Sequence, residues 1–264
     1  MLNQQETTTK VGIAGLGAIG TTVAKALTKG IKGFTLTAVS EPKPHTYNVP
    51  TLSFEDLAKT CDLIIECLPP SIVPDLTKHV LKEGKNLILI SPSALLIHKD
   101  ILKQKEVSDS RIIVPSGALC GIDGVSSMAQ IGITAAKIAS NKHPRGYKGA
   151  PYIEVENIDL NAITTRTLIF QGNALEAVKA FPANVNVAAT LSLAGIGPEK
   201  TKVEIWADPE ATGNSHEVTV TSAYSTLKAK IENQPDPANP KTSILAAQSI
   251  IRTLKSMTAP IAVL

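Results

Sequence analysis

The sequence predicts an α/β fold with a parallel sheet, joined to a second region of α+β type with a mixed sheet. Three observations predict it. From Lys10 to Pro115, short aliphatic runs alternate with segments of helical period, as when crossover helices join parallel strands. A glycine-rich turn follows the first of those runs. After Pro115 the texture changes, and segments such as Lys202 to Trp206 and Glu217 to Thr221 alternate as half-buried antiparallel strands do.

Strands of the first region are expected at Val11 to Ala14, Leu36 to Val39, Leu63 to Cys67, Leu87 to Ile90 and Ile112 to Val114. Between the first two, Ile19, Val23, Ala26 and Leu27 share one helix face, which predicts packing on the sheet. Ser53 and Asp56 form a capping-box-like start for a second helix, Ser71 is suited to cap a third, and Gly84 to end it. Beyond Pro115, the Gly-rich stretch Ser116 to Gly124 leads into a helix. Asn141 to Pro151, with two prolines and two glycines, reads as loop. Pro235, Pro237 and Pro240 hold an extended segment that Ser243 converts into a final helix, with Ile244, Ala247, Ile251 and Leu254 on one face. The division expected is an α/β domain over residues 1–119, rejoined by 243–264, and an α+β domain over 120–242.

Composition narrows the function. In 264 residues, 43% are hydrophobic and 3% aromatic, so the core is aliphatic and the chain is long enough to bury it without disulfides or structural metal. The formal charge of +3 comes from scattered lysines with no basic run interleaved with aromatics, which argues against nucleic acid. Met1 to Thr9 is polar and reads as a tail, not a signal peptide. No apolar run is long enough to cross a bilayer. Cys61, Cys67 and Cys120 form no C-x-x-C pair, which fits a reducing, cytoplasmic compartment. No His/Cys/carboxylate cluster has metal-ligand spacing, and no metal is expected.

Gly15-Leu16-Gly17-Ala18-Ile19-Gly20 matches the G-x-G-x-x-G fingerprint between a strand and a helix, the context that makes it a dinucleotide-binding Rossmann loop. Gly15 allows the tight turn, Gly17 clears the approach of the pyrophosphate, and Gly20 lets the helix sit close to the strand. The helix N-terminus offers unpaired N–H groups to the anion. Glu41, at the end of the second strand, is placed to accept bonds from both ribose hydroxyls and to repel a 2′-phosphate, which favours NAD over NADP. Lys43 and His45 follow in the same loop and could partner such a phosphate, so NADP stays open.

Five histidines could titrate near neutral pH: His45, His79, His98, His143 and His216. Solvated positions explain the first four. His216 follows the turn Gly213-Asn214-Ser215 and begins an alternating strand, where a rigid sheet can aim a side chain into a cleft; an exposed strand-end histidine is the other reading. Cys120 is a candidate nucleophile or a small buried thiol. Arg111, Arg145, Arg166 and Arg252 are the residues best shaped for a carboxylate, with nothing to choose among them.

Taken together, five ordered blocks resemble the L-aspartate dehydrogenase family over nearly the whole chain. They are the Gly15 to Gly20 loop, Pro115-Ser116-Gly117-Ala118 with Gly121-Ile122-Asp123, and Phe181-Pro182 with Asn184-Val185-Asn186-Val187-Ala188. Ala207-Asp208-Pro209 with Asn214-Ser215-His216, and Asn239-Pro240-Lys241-Thr242-Ser243, complete the set. The resemblance implies that His216 is the catalytic residue, titrating near neutrality and oriented by Asn214, and that Ala118 and either Asn184 or Asn186 contact the cofactor. It also implies oxidative deamination of L-aspartate, or the reverse amination, in a homodimer that supplies iminoaspartate for pyridine nucleotide synthesis. Two other readings share the fold: a dehydrogenase of another small amino or keto acid, and a dinucleotide sensor without turnover.

Overall fold

A computed structural model describes residues 8–236 and 239–263. Two compact units divide the chain: Met1–Ser91, His98–Pro115 and Ala247–Leu264 form the first, and Pro92–Ile97 with Ser116–Ala246 the second.

The first unit runs β1 (Thr9–Ala14), α1 (Ala18–Lys29), β2 (Phe34–Ser40), α2 (Phe54–Thr60), β3 (Leu63–Glu66), α3 (Val73–Lys82) and β4 (Asn86–Leu89). After α4 (Ser93–Ile97), which belongs to the second unit, come α5 (Lys99–Glu106) and β5 (Ile112–Ile113). The strands pair in parallel in the order β2-β1-β3-β4-β5. Ile13, Ile64, Ile65, Ile88 and Leu89 are wholly buried, as sheets covered on both faces require. Strand order reverses between β1 and β3, and the crevice at such a switch point is where doubly wound sheets bind ligands.

Local chemistry explains the helix limits. Ser53 Oγ accepts the Asp56 N–H at 3.1 Å, capping α2. Ser71 does not cap α3; the helix begins at Val73 with Pro74 in its first turn, the one place where a missing N–H and a fixed φ suit a helix. The buried face of α1 is Gly20, Val23, Ala24 and Leu27, leaving Ile19 and Ala26 half-buried at its margin. Of the polar N-terminus, residues 1–7 lie outside the described residues, and Thr9 already belongs to β1.

The second unit holds α6 (Ile122–Gln130), β6 (Ile133–Lys142), a 3-10 turn (Pro144–Tyr147), α7 (Pro151–Val155), β7 (Thr167–Asn173), α8 (Ala174–Ala180) and α9 (Asn186–Ala194). β8 (Thr201–Ala207), β9 (Asn214–Ser222) and β10 (Thr226–Asn233) follow. Its sheet order is β10-β9-β6-β8-β7. β8 is antiparallel to β7 but parallel to β6, because intervening helices, α8 and α9 among them, supply the crossover that parallel neighbours need. Four of the chain's few aromatics, Tyr147, Tyr152, Phe170 and Phe181, meet in this core, with Tyr152 and Phe170 edge to face at 5.2 Å.

The unit boundaries differ from the sequence reading, and so does one strand end. Residues 92–97, 116–119 and 243–246 fall in the second unit: α4 buries Ser93, Ala94, Leu95 and Leu96, and Ser93 Oγ donates to Asn186 Oδ1 at 2.6 Å. Asn141 and Lys142, read as loop, are the last two residues of β6, paired with Trp206 and Ala207. The loop composition holds only beyond them.

Pro235–Asp236 pairs with Asn239–Ser243, while Pro237 lies outside the described residues. Ser243 Oγ then accepts the Leu245 N–H at 3.2 Å at the start of α10 (Ile244–Thr258). Ala247, Ile250, Ile251 and Leu254 are buried there, whereas Ile244 is 47% exposed.

Candidate active site

The glycine loop fits a dinucleotide diphosphate. Gly15 has φ +90°, and a Cβ there would lie 2.5 Å from the Cys67 carbonyl oxygen. A Cβ on Gly20 would fall 1.9 Å from the Gly15 carbonyl oxygen, so this glycine closes α1 against its own loop; Cys67 Cβ, just beyond β3, would lie 3.4 Å away. Gly17 is exposed and a Cβ there would meet nothing within 4 Å, which leaves open space over the N-terminus of α1 where Ala18 and Ile19 begin the helix. This is the cradle an anion requires.

Glu41 sits immediately after β2. Its Oε2 accepts the Leu16 N–H at 2.7 Å and its Oε1 the Lys43 N–H at 3.1 Å, so the carboxylate is fixed against the loop. His45 Nε2 and Thr51 Oγ1 share a hydrogen bond at 2.9 Å. A buried acid that the sequence reading passed over, Glu66, ends β3 and accepts the N–H groups of Leu68, Ile90 and Ser91. Burial pushes its pKa up to about 7 against the pull of those donors. Its place at the end of a continuous apolar run, where no acid belongs, is the available signal.

The second cluster grows from strand register. Along β6 the core face carries Ala136, Ile138, Ser140 and Lys142, and β9 opposes it with Val220, Val218 and His216 at the same level as the first three. The face thus changes from aliphatic to polar at one end. His216 is 7% exposed, and its Nδ1 shares a 3.0 Å hydrogen bond with Ser140 Oγ. With Nδ1 engaged, Nε2 is the nitrogen left for a reacting group.

Lys142 Nζ donates to Asn184 Oδ1 at 2.6 Å and lies 5.1 Å from the centroid of the Tyr147 ring. Burial pushes Lys142 down to about 8. Burial, with the Lys142 charge second, pushes His216 down to about 4. The expectation that His216 titrates near neutrality is therefore corrected: in this environment it is neutral at pH 7. The hydroxyl of Ser140 holds the ring at Nδ1, and Asn214 stands in register with Asn233 of β10.

The remaining candidates separate. Asn184 joins Lys142, whereas Asn186 opens α9 and is held by Ser93. Ala118 lies in a turn closed by the Leu119 N–H on the Ser116 carbonyl, and its own carbonyl accepts from Asn233 Nδ2 at 3.5 Å. Cys120 is half-buried and unpaired. Arg166 stacks on Trp206 at 4.0 Å, on the sheet face opposite His216. His79 faces Asp75 within α3, His98 precedes α5, and His143 accepts the Arg145 N–H. No group of three or more His, Cys, Asp or Glu among the described residues could hold a metal.

A fingerprint glycine loop at the switch point, carried with a buried histidine and a desolvated ammonium, defines the class as a dinucleotide-dependent oxidoreductase. Residues 15–115 match the family described as homoserine dehydrogenase, NAD binding domain, and residues 123–257 match aspartate dehydrogenase, C-terminal. The chain is 39% identical to L-aspartate dehydrogenase 3 of Bordetella bronchiseptica over 96% of both chains. It is 39% identical to L-aspartate dehydrogenase of Methanosarcina barkeri over 96% of this chain and 98% of that one. A crystal structure of aspartate dehydrogenase from Thermotoga maritima superposes with TM-score 0.74 at 28% identity, covering 97% of this chain and 99% of that one. The chain belongs to the L-aspartate dehydrogenase family, and its cofactor is a nicotinamide dinucleotide.

Proposed function

We propose that the chain catalyses oxidative deamination of L-aspartate: substrate, oxidised dinucleotide and water give oxaloacetate, ammonium, reduced dinucleotide and a proton. Full-length membership of the family carries this reading. When bound, the nicotinamide supplies the acceptor for the hydride that leaves the substrate Cα.

The chain's own residues handle the proton. Neutral His216 takes one at Nε2 from the substrate nitrogen as the carbon–nitrogen bond becomes double, and then assists the water that hydrolyses the imine. The Ser140 hydroxyl fixes the ring through Nδ1. In the first unit, Gly15, Gly17 and Gly20 with the N–H groups at Ala18 and Ile19 hold the diphosphate, and Glu41 takes the ribose hydroxyls. Supporting NAD over NADP is the Glu41 carboxylate, which would repel a 2′-phosphate. Ala118 and one of the two asparagines complete the cofactor contacts in this reading, Asn184 being held by Lys142 and Asn186 by Ser93. The uncovered face of the second sheet, where Trp206 stands half-buried under Arg166, is the surface for a homodimer. Three unpaired thiols suit a reducing cytoplasm.

The test follows nicotinamide absorbance with L-aspartate, other amino acids, and oxaloacetate plus ammonium, using each dinucleotide. His216→Ala should keep the fold and NAD binding and lose turnover by about 10²-fold or more. Unchanged turnover removes His216 from the site, and turnover only with another amino acid overturns the substrate.

A further inference from the structure

Lys142 is a strongly basic residue on the face of β6 and β9 that carries His216, and the groups seen around it among the described residues are neutral. Asn184 Oδ1 accepts a hydrogen bond from its Nζ at 2.6 Å, and the Tyr147 ring lies beside it. None of the salt bridges found among the described residues includes it. The acid nearest in register is Asp208, next to the strand residue paired with Lys142. Asp208 is spoken for on the other face of the sheet: Oδ2 accepts from Asn141 Nδ2 at 3.3 Å and Oδ1 from the Glu210 N–H at 3.0 Å. From β9 the facing titratable group is His216, and from the 3-10 turn it is Tyr147, whose hydroxyl donates to the Trp206 carbonyl at 2.9 Å. His143, next along, accepts the Arg145 N–H.

A desolvated ammonium without a counter-ion is costly, and an anion arriving beside it recovers that cost. The diagonal position across paired strands puts the two residues about 7–8 Å apart, with their Cβ atoms somewhat closer. A small amino acid can bridge that gap, one carboxylate at the ammonium and the amino-bearing carbon at the imidazole. We propose that Lys142, held in place by Asn184, is the cation that receives a carboxylate of the substrate. This rests on the reaction assigned above, and it replaces the arginine that the sequence favours for the task with a lysine at the end of a strand. A carboxylate bound there also offsets the Lys142 charge that His216 feels, so substrate binding relieves the smaller part of the depression of the imidazole, burial being the larger.

The experiment uses the full chain loaded with NADH and takes succinate, a dicarboxylate lacking the amino group, as the probe. Calorimetry compares succinate affinity from about pH 6 to about pH 10 in the wild type, Lys142→Met and Lys142→Arg. The wild-type affinity should be constant at low pH and decline as pH rises past about 8, where the free ammonium loses its proton. At pH 7, Lys142→Met should bind succinate about 10²-fold more weakly with NADH affinity unchanged, since one partner of a buried charge pair is gone. Lys142→Arg, charged throughout, should bind with no decline across that range. Wild-type succinate affinity in a folded Lys142→Met, or an equal decline with pH in Lys142→Arg, overturns the proposal. The two readings fail separately. Should the wild type not oxidise L-aspartate while succinate binding still depends on residue 142, the reaction falls and the carboxylate site stands. Normal KM for L-aspartate in Lys142→Met removes the carboxylate site and leaves the reaction.

Discussion

Ser140 Oγ and His216 Nδ1 lie 3.0 Å apart on directly paired residues of β6 and β9, both side chains buried on the core face of the sheet. A backbone ladder therefore sets the imidazole's position, and one hydroxyl sets its rotation.

Ser140→Ala removes that hydroxyl and leaves the ladder intact. Stability should fall by about 1 kcal/mol, and kcat should drop about tenfold while the dinucleotide Kd stays constant. Ser140→Thr, which keeps a hydroxyl, should recover part of the rate. An unchanged kcat in the alanine variant would show that the ring needs no such support.

The loop glycines predict opposite phenotypes. Gly20→Ala puts a methyl group 1.9 Å from a carbonyl oxygen, so thermal unfolding should show a loss of several degrees or more. Gly17→Ala has open space and helical-side φ of −65°, so the melting temperature should hold while dinucleotide affinity falls about tenfold or more. Fluorescence titration with NADH, beside calorimetric unfolding, separates the two.

Glu41→Ser frees the Leu16 and Lys43 N–H groups and removes the negative charge beside them. NAD affinity should fall about tenfold and NADP affinity much less, so the ratio of kcat/KM values moves toward NADP. Equal losses for both dinucleotides would take Glu41 out of ribose recognition.

Lys142→Met predicts a gain in stability. The folded-state pKa of Lys142 is about 8, below its usual 10.5, so between those values the folded chain binds fewer protons than the unfolded one and stability rises with pH. Below pH 8 the full penalty is present. Removing the charge should therefore raise stability at pH 7 by about 1–2 kcal/mol, with the gain fading toward pH 10.5. Denaturant unfolding of both proteins at the two pH values tests this sign.

Aliphatic runs made the first sheet readable: β1 to β4 fall within a few residues of where Val11, Leu36, Leu63 and Leu87 place them. Such runs announce strands buried on both faces. The site was only partly readable. His216 stands in an alternating strand and marks itself, but Lys142 adjoins a stretch rich in proline and glycine, and local composition assigned it to a loop. Pairing with β8 and β9 overrides that composition, and pairing is long-range information. Residues 92–97 were misassigned for the same reason: no local signal tells α4 that Asn186 will hold it.

The alternation along β6 ties the chemistry to counting. A slip of a single residue against β9 would turn Ser140 and Lys142 outward and present Asn141 to the imidazole, with the sheet's hydrogen bonds otherwise preserved. Insertions or deletions of odd length in this strand should thus abolish catalysis even where a folded, dinucleotide-binding protein survives, whereas paired changes would conserve the facing set.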